Sequence, residues 1–298
     1  MTHFFKNFLL TVLVLHGISC TQKNEKGSEK NPILVSLIPS KEATSLLMAG
    51  DSFKKYMEKE TGYFFEMSVP SNYIAVVEAL GSKRSDIAFL TTNSYALAYK
   101  KYNVEAQYIT VGSSGKTTYR GQFLVKGDSK IKKLEDLNGK KIAYVDPSSS
   151  SGYVMPAALL KRKNIKPSQT IFAGKHDFAV TMLYQGRVDA SATYYSPPED
   201  GVMKDARRLV LTQYPDVEKK LRILDFTDEL PNDALVFRKE LDVVIKSKIQ
   251  TALEKWVLTE DGIKTLKAIN NGVALKKVTD DDYIQARKML NDMEETLK

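Results

Sequence analysis

The stretch Asp146-Pro147-Ser148-Ser149-Ser150-Ser151-Gly152-Tyr153 joins the apolar run Lys141 to Val145 to a segment of helical periodicity, Tyr153 to Lys163. It reads as a strand turning through a serine-rich loop into the start of a helix. Pro156 fits this reading because the first helical turn tolerates proline. A helix start has N–H groups without intrahelical acceptors and carries the positive end of the helix dipole, and hydroxyls add neutral donors beside it. Such a turn can hold an oxyanion without a bulky cation. An ordinary serine-rich helix cap has the same local pattern, so the stretch alone leaves both readings open.

Strands and helices alternate on either side of this turn. Downstream come a strand at Thr170 to Phe172, a helix at Phe178 to Gln185 and a strand at Ala190 to Thr193. Upstream, Gln122 to Val125 is extended and a helix at Leu134 to Leu137 is stopped by Asn138-Gly139. An earlier unit repeats the order: strand Ile33 to Leu37, helix Ala43 to Thr61, strand Phe64 to Val69, helix Tyr73 to Leu80 and strand Ile87 to Leu90. This β-α-β-α-β order implies an α/β fold with mostly parallel sheets flanked by helices. The chain returns through Arg222 to Phe226 and reads as helical from Leu241 to its end, including Lys246 to Leu258 and Asp281 to Leu297. We therefore expect two lobes, 32–118 with 229–298 and 119–228, enclosing an interlobe cleft where a small ligand would bind. Trp256 falls at core spacing in a C-terminal helix and reads as packing, and Asp189 reads as a structural cap at a strand end.

The N-terminus carries Lys6, then the apolar stretch Phe8 to Val14, then small residues at Gly17, Ser19 and Cys20, the order of a secretion signal. The apolar stretch is too short for a permanent membrane span. Gly17-Ile18-Ser19-Cys20 resembles a bacterial lipobox, with Gly17 where Leu is usual, which implies a signal peptide over 1–19 and a lipidated Cys20. The polar segment 20–31 then reads as a tether. Cleavage would remove two of the three histidines, leaving His176, and would block the single cysteine. Disulfides are excluded, and clustered metal ligands or a free catalytic thiol are not expected. The formal charge of +8 is scattered over presumptive helix faces, with no interleaving of basic and aromatic residues of the kind a nucleic-acid groove needs.

Across residues 33 to 262 the chain resembles the phosphate/phosphite/phosphonate-binding proteins of ABC transporters, which have the type II periplasmic-binding-protein fold. The resemblance lies in an ordered set of motifs: Asn72-Tyr73 with Ile74 to Leu80, Ser85-Asp86-Ile87-Ala88, Leu134 to Gly139, Ser149-Ser150-Ser151-Gly152, Gly174-Lys175-His176-Asp177 with Ala179-Val180, Gly186-Arg187-Val188-Asp189-Ala190 and Leu230-Pro231-Asn232-Asp233. It implies oxyanion contacts at Tyr73, Tyr119, Ser149, Ser150, Ser151 and His176, and a carboxylate contact at Asp233. It further implies no catalytic residue, no cofactor, and partners consisting of a small oxyanion, a transporter permease and, through the lipid, a membrane. An extracytoplasmic location follows from the same comparison. Aminophosphonate-binding members carry a second carboxylate where this chain has Thr193-Tyr194-Tyr195-Ser196, and Glu199 comes a few residues later. Tyr194 and Tyr195 then become candidates to wall the pocket or donate to the ligand.

Other function classes meet the sequence less well. Gly112-Ser113-Ser114-Gly115-Lys116-Thr117 follows a strand at Tyr108 to Val111, but a phosphate loop needs four residues between its glycines and a helix after it. A hydrolase built on a serine, His176 and an aspartate lacks the Gly-x-Ser-x-Gly elbow. A sensory or surface lipoprotein that uses the same binding fold without transport shares every feature named above.

Overall fold

A computed structural model describes residues 25–297. The proposed signal peptide and Cys20 lie outside the described residues. Seven elements come first: β1 (Ile33–Leu37), α1 (Ala43–Thr61), β2 (Phe65–Ser68), α2 (Tyr73–Gly81), β3 (Ile87–Leu90), α3 (Thr92–Tyr102) and β4 (Glu105–Gly112). Then follow β5 (Thr118–Lys126), β6 (Lys141–Tyr144), a π-helical turn (Ser150–Val154) running into α4 (Met155–Arg162), β7 (Gln169–Phe172), α5 (His176–Tyr184) and β8 (Ala190–Tyr195). The chain closes with α6 (Val217–Lys220), β9 (Leu221–Pro231), β10 (Ala234–Phe237), α7 (Val243–Trp256), α8 (Glu260–Asn270), β11 (Gly272–Lys277) and α9 (Ile284–Leu297).

Local chemistry accounts for these boundaries. On α1 the buried residues Leu46, Ala49, Phe53 and Met57 recur at helical spacing, and Gly62 ends the helix in the left-handed region at φ 69, its N–H bonded to the Glu58 carbonyl. Asn72 caps α2 by accepting from the Ala75 N–H, and Asp242 caps α7 by accepting from Val244 and Ile245. Strand β3, apolar on both faces, is central to its sheet.

Two sheets result, ordered β11-β4-β10-β3-β1-β2 and β7-β6-β8-β5-β9. Each has parallel pairs, β1 with β2 and β3 in one and β6 with β7 and β8 in the other. The remaining pairs are antiparallel, so the sheets are mixed rather than mostly parallel. The physical reason is that β4, β5, β9 and β10 carry the chain between the sheets and back, and a returning strand pairs against its neighbour. Helices α1, α7 and α8 cover the first sheet, where Phe53 packs edge-on against Trp256 at 5.0 Å between ring centroids. The role expected for Trp256 is therefore the one it has.

Three segments depart from the sequence reading. The C-terminal region is not continuously helical: Gly272–Lys277 is a strand along β4, because Asn271 at φ 65 ends α8 and turns the chain. Helix α3, to which no element was assigned, follows β3 directly with Thr91 as its cap. Residues 25–31, read as tether, fold onto the first sheet's edge. There Gly27 bonds Phe64 and Asn31 through the backbone, and Lys26 meets the buried Asp86 at 2.5 Å. Asp86 also holds Arg238 at 2.8 Å and the Leu34 N–H at 2.9 Å, so the Ser85-Asp86 motif ties three distant segments together.

Candidate functional site

Between the sheets lies a cavity of about 600 Å³. Tyr73, Tyr119, Ser151, His176 and Asp233 converge on it, and Tyr194 and Tyr195 wall it from the end of β8. The serine turn is built by its own side chains. Asp146 accepts from the Ser148 N–H at 2.8 Å, and the Gly152 carbonyl accepts from the Val145 N–H at 3.1 Å. A Cβ on Gly152 would lie 2.5 Å from Val145 Cγ2 and 2.8 Å from Ser149 Oγ, so only glycine fits there.

Two serines expected to face the ligand do not line the cavity. Ser149 is the cap of the π-helical turn, and its Oγ accepts from Gly152 N–H at 3.2 Å. Ser150 Oγ accepts from the Asn93 N–H of α3 at 2.8 Å, so its hydroxyl joins the two lobes. Accepting these bonds leaves each hydroxyl its own proton, and Ser149 lies beside the Tyr73 phenol and Ser150 beside the Tyr119 phenol, while Ser151 is the serine of the turn that lines the cavity.

Further contacts bridge the lobes around this point. The His176 N–H donates to the Ser40 carbonyl at 3.0 Å, Lys175 pairs with Glu42 at 3.3 Å, and Arg208 donates to the Asn271 carboxamide oxygen. Lys267 pairs with Glu199 at 3.3 Å across the cavity mouth.

Electrostatics within the cleft favour neutral donors. Burial lowers His176 to about 3, with the Lys41 charge adding to the effect, so the ring is a neutral imidazole that meets Tyr194 edge-on. Burial pushes the Tyr73 phenol well up and keeps it protonated. Asp233, recessed in the cleft, is raised to about 7 by burial, against the opposing influence of an Asn270 hydrogen bond and the Lys41 charge. Near neutral pH its carboxyl can therefore donate as the acid or accept as the carboxylate. Tyr73 Oη and His176 Nδ1 are buried and neither makes a hydrogen bond of good geometry among the described residues, the Tyr73 phenol lying beside the Ser149 side chain.

Several wall residues escaped the sequence reading. Lys41 sits in the loop between β1 and α1, a strand-to-helix turn like 146–152, and that likeness was the available signal. Arg208, Asn270 and Asn271 come from aperiodic or helix-end segments that carry no such signal. The Gly112 to Lys116 loop, rejected as a phosphate loop, is a turn between β4 and β5 whose residues reach the cavity mouth. Asp189 accepts from the Lys141 N–H at 2.8 Å, the structural role read for it.

A family model described as the periplasmic substrate-binding protein of phosphonate ABC transporters matches residues 35–283. The chain belongs to this family. Among its relatives, the phosphate-import protein PhnD of Mycolicibacterium smegmatis is 29% identical over 178 residues, 54% of each chain. The phosphonates-binding periplasmic protein of Escherichia coli is 27% identical over 205 residues, 66% of this chain and 58% of that one. The chain thus matches between about half and three fifths of the length of these two relatives. In three dimensions it resembles a binding component of a Pseudomonas aeruginosa phosphonate transporter, with a TM-score of 0.78 at 21% identity and coverage of 89% and 87% of the two chains. A Prochlorococcus marinus protein solved with methylphosphonate gives 0.74 at 18% identity, covering 88% and 98%. These likenesses establish the two-lobed fold, and the family is one of transport binding proteins rather than of enzymes.

Proposed function

We propose that this family member is an extracytoplasmic, Cys20-lipidated protein that closes its cleft on a small phosphorus oxyanion, phosphonate, phosphite or phosphate, and presents it to an ABC transporter permease. The observation that carries the reading is the pair of unpartnered buried polar atoms, Tyr73 Oη and His176 Nδ1, in residues that border one cavity with Ser151 and Asp233. A buried polar group without a partner costs about 1–3 kcal/mol, a cost that a ligand oxygen or hydroxyl removes on binding. Asp233 adds selectivity, since a carboxylate accepts from a P–OH but repels sulfate, which has no proton to offer at neutral pH. The two lobes, 32–118 with 229–298 and 119–228, would move about the crossings β5 and β9, and closure is the state a permease would read.

Calorimetry with phosphate, phosphite, methylphosphonate, 2-aminoethylphosphonate and sulfate tests the ligand class. Binding of at least one phosphorus oxyanion below the millimolar range, weakened in Tyr73→Phe and His176→Ala, is expected. Equal binding of sulfate, or no binding of any of the five, defeats the reading. Metabolic labelling with a radioactive fatty acid tests the anchor, which requires label on the wild type and none on Cys20→Ser.

A further inference from the structure

Residues 25–31 are built as a clasp. Gly27 lies at φ 91, and a Cβ there would stand 2.6 Å from Tyr63 Cδ1, so a side chain at this position is strained twice over. Its carbonyl accepts from the Phe64 N–H at 2.9 Å, and its N–H donates to the Asn31 carbonyl at 2.8 Å. Lys26 places its ammonium 2.5 Å from Asp86, a carboxylate with no exposed side-chain surface that also holds Arg238 at 2.8 Å. Backbone bonds, close packing and an ion pair fix a segment that a passive leash would leave free.

The clasp lies at one end of the first sheet and the cleft at the other. It leads into the start of β1, meets Asp86 just before β3 and, through Asp86, Arg238 just after β10. The cavity is lined from the opposite ends of the same strands, by Ser40 and Lys41 after β1, Thr91 after β3 and Asp233 before β10. At about 3.3 Å per residue, the path from Asp86 to Thr91 along β3 covers roughly 17 Å, and the second sheet lies beyond the cleft.

Chain length converts this placement into an orientation. Glu25 follows Cys20 by five residues, and a chain reaches at most about 3.6 Å per residue, so the clasp leaves a reach of about 18 Å. With no clasp the reach from Cys20 to Ile33 would be about 47 Å. A domain of this size has a radius of gyration of about 19 Å. The longer leash would let it turn almost any face to a bilayer, whereas the shorter one keeps the bilayer on the clasped side. Phe64, 45% exposed, and Val244, 65% exposed and one turn before the Lys248 that stands 4.7 Å over the Tyr63 ring, flank the clasp. Two scattered apolar side chains are too few to hold an orientation alone, so the leash sets it and they meet the surface it brings.

We propose that residues 25–31 clamp the lipid anchor to the far end of the first sheet, so that the lobe built on this sheet rests on the phospholipid surface through the face around Phe64 and Val244, with the other lobe pointing away. The inference rests on the Cys20 lipidation proposed above and adds the surface that meets the membrane.

The test uses the full lipidated chain in phosphatidylcholine–phosphatidylglycerol vesicles that contain a headgroup-nitroxide lipid as quencher. A fluorophore is attached through Val244→Cys at the clasped face, or through Lys141→Cys at the exposed first residue of β6, the end of the second sheet remote from the serine turn. With Cys20 acylated, the introduced cysteine is the sole free thiol. Quenching at position 244 is expected to exceed that at position 141 by about threefold or more. Lys26→Ala combined with Gly27→Val, which opens the clasp, is expected to bring the ratio close to one. A Gly/Ser insert of about 20 residues between Asn24 and Glu25 lengthens the leash without touching the fold and is expected to do the same. Equal quenching at the two positions in the otherwise native chain, or a ratio that the insert leaves unchanged, overturns the clasp-set orientation while the anchor stands. Failure of the chain to incorporate fatty acid or to bind vesicles defeats the anchor reading, and this inference with it.

Discussion

At the scale of single residues, His176 and Asp233 give the molecule two pH dependences of opposite sign. His176 is neutral in the folded chain down to about 3, whereas an exposed histidine protonates near 6.5. Its contribution is fully present above pH 6.5 and is lost as the pH falls from there toward 3, by up to about 1.4 kcal/mol per pH unit. Asp233 titrates near 7 in the fold and near 4 when unfolded, so its contribution is present below 4 and is lost as the pH rises to 7. Urea titrations from pH 3 to 8 should therefore show a shallower acid limb for His176→Gln and a gain at pH 7 for Asp233→Asn. Unchanged pH profiles in both variants would contradict the burial assigned to these groups. Tyr73, Ser151, His176 and Asp233 were legible one at a time, because each lies in a short motif whose spacing survives without the fold. Lys41 and Arg208 were not. They reach the cavity wall from segments far apart in the chain, and spacing along the chain does not report which side chains meet in space.

At the scale of elements, the serine turn and the last helix each concentrate a testable dependence. Gly152→Ala would place a methyl group against Val145 and the Ser149 hydroxyl, and we expect a loss of about 1–3 kcal/mol in chemical denaturation together with weaker oxyanion binding as Ser151 shifts. Helix α9 packs Leu290, which is 1% exposed, into a cluster with Ala96 of α3 and Met155 and Ala158 of α4. Leu290→Ala should cost about 2–5 kcal/mol, and a value under 1 would mean that α9 is not a structural member of the fold. Elements with a strong period and a clear cap, such as α1 and β3, agree with the sequence reading to the residue. Strand β11 was hidden because its six residues are partly exposed and follow a helix, so neither periodicity nor burial set them apart. The Asn270-Asn271-Gly272 break was the signal that could have revealed it.

At the scale of the whole molecule, closure is held by bonds that belong to neither lobe alone. The Asn93 N–H has the Ser150 hydroxyl as its acceptor, so Ser150→Ala leaves a buried donor unpaired between the two segments. We expect an apparent ligand affinity lower by about fivefold to a hundredfold and a shift toward a larger radius of gyration in solution scattering without ligand. Unaltered affinity and dimensions would mean that this bond does not weight the open and closed states. The sequence by itself determined the alternation of strands and helices, the two-lobed class, and the strand-to-helix turn at Asp146 to Tyr153, because these follow from apolar period and capping chemistry that act over a few residues. The tertiary structure alone decided which hydroxyl of that turn lines the cleft, how the sheets mix parallel and antiparallel pairs, and that Lys41 and Arg208 reach the cavity wall. Those outcomes depend on burial and on distances between residues far apart in the chain, and such distances exist only once the chain has crossed between its sheets.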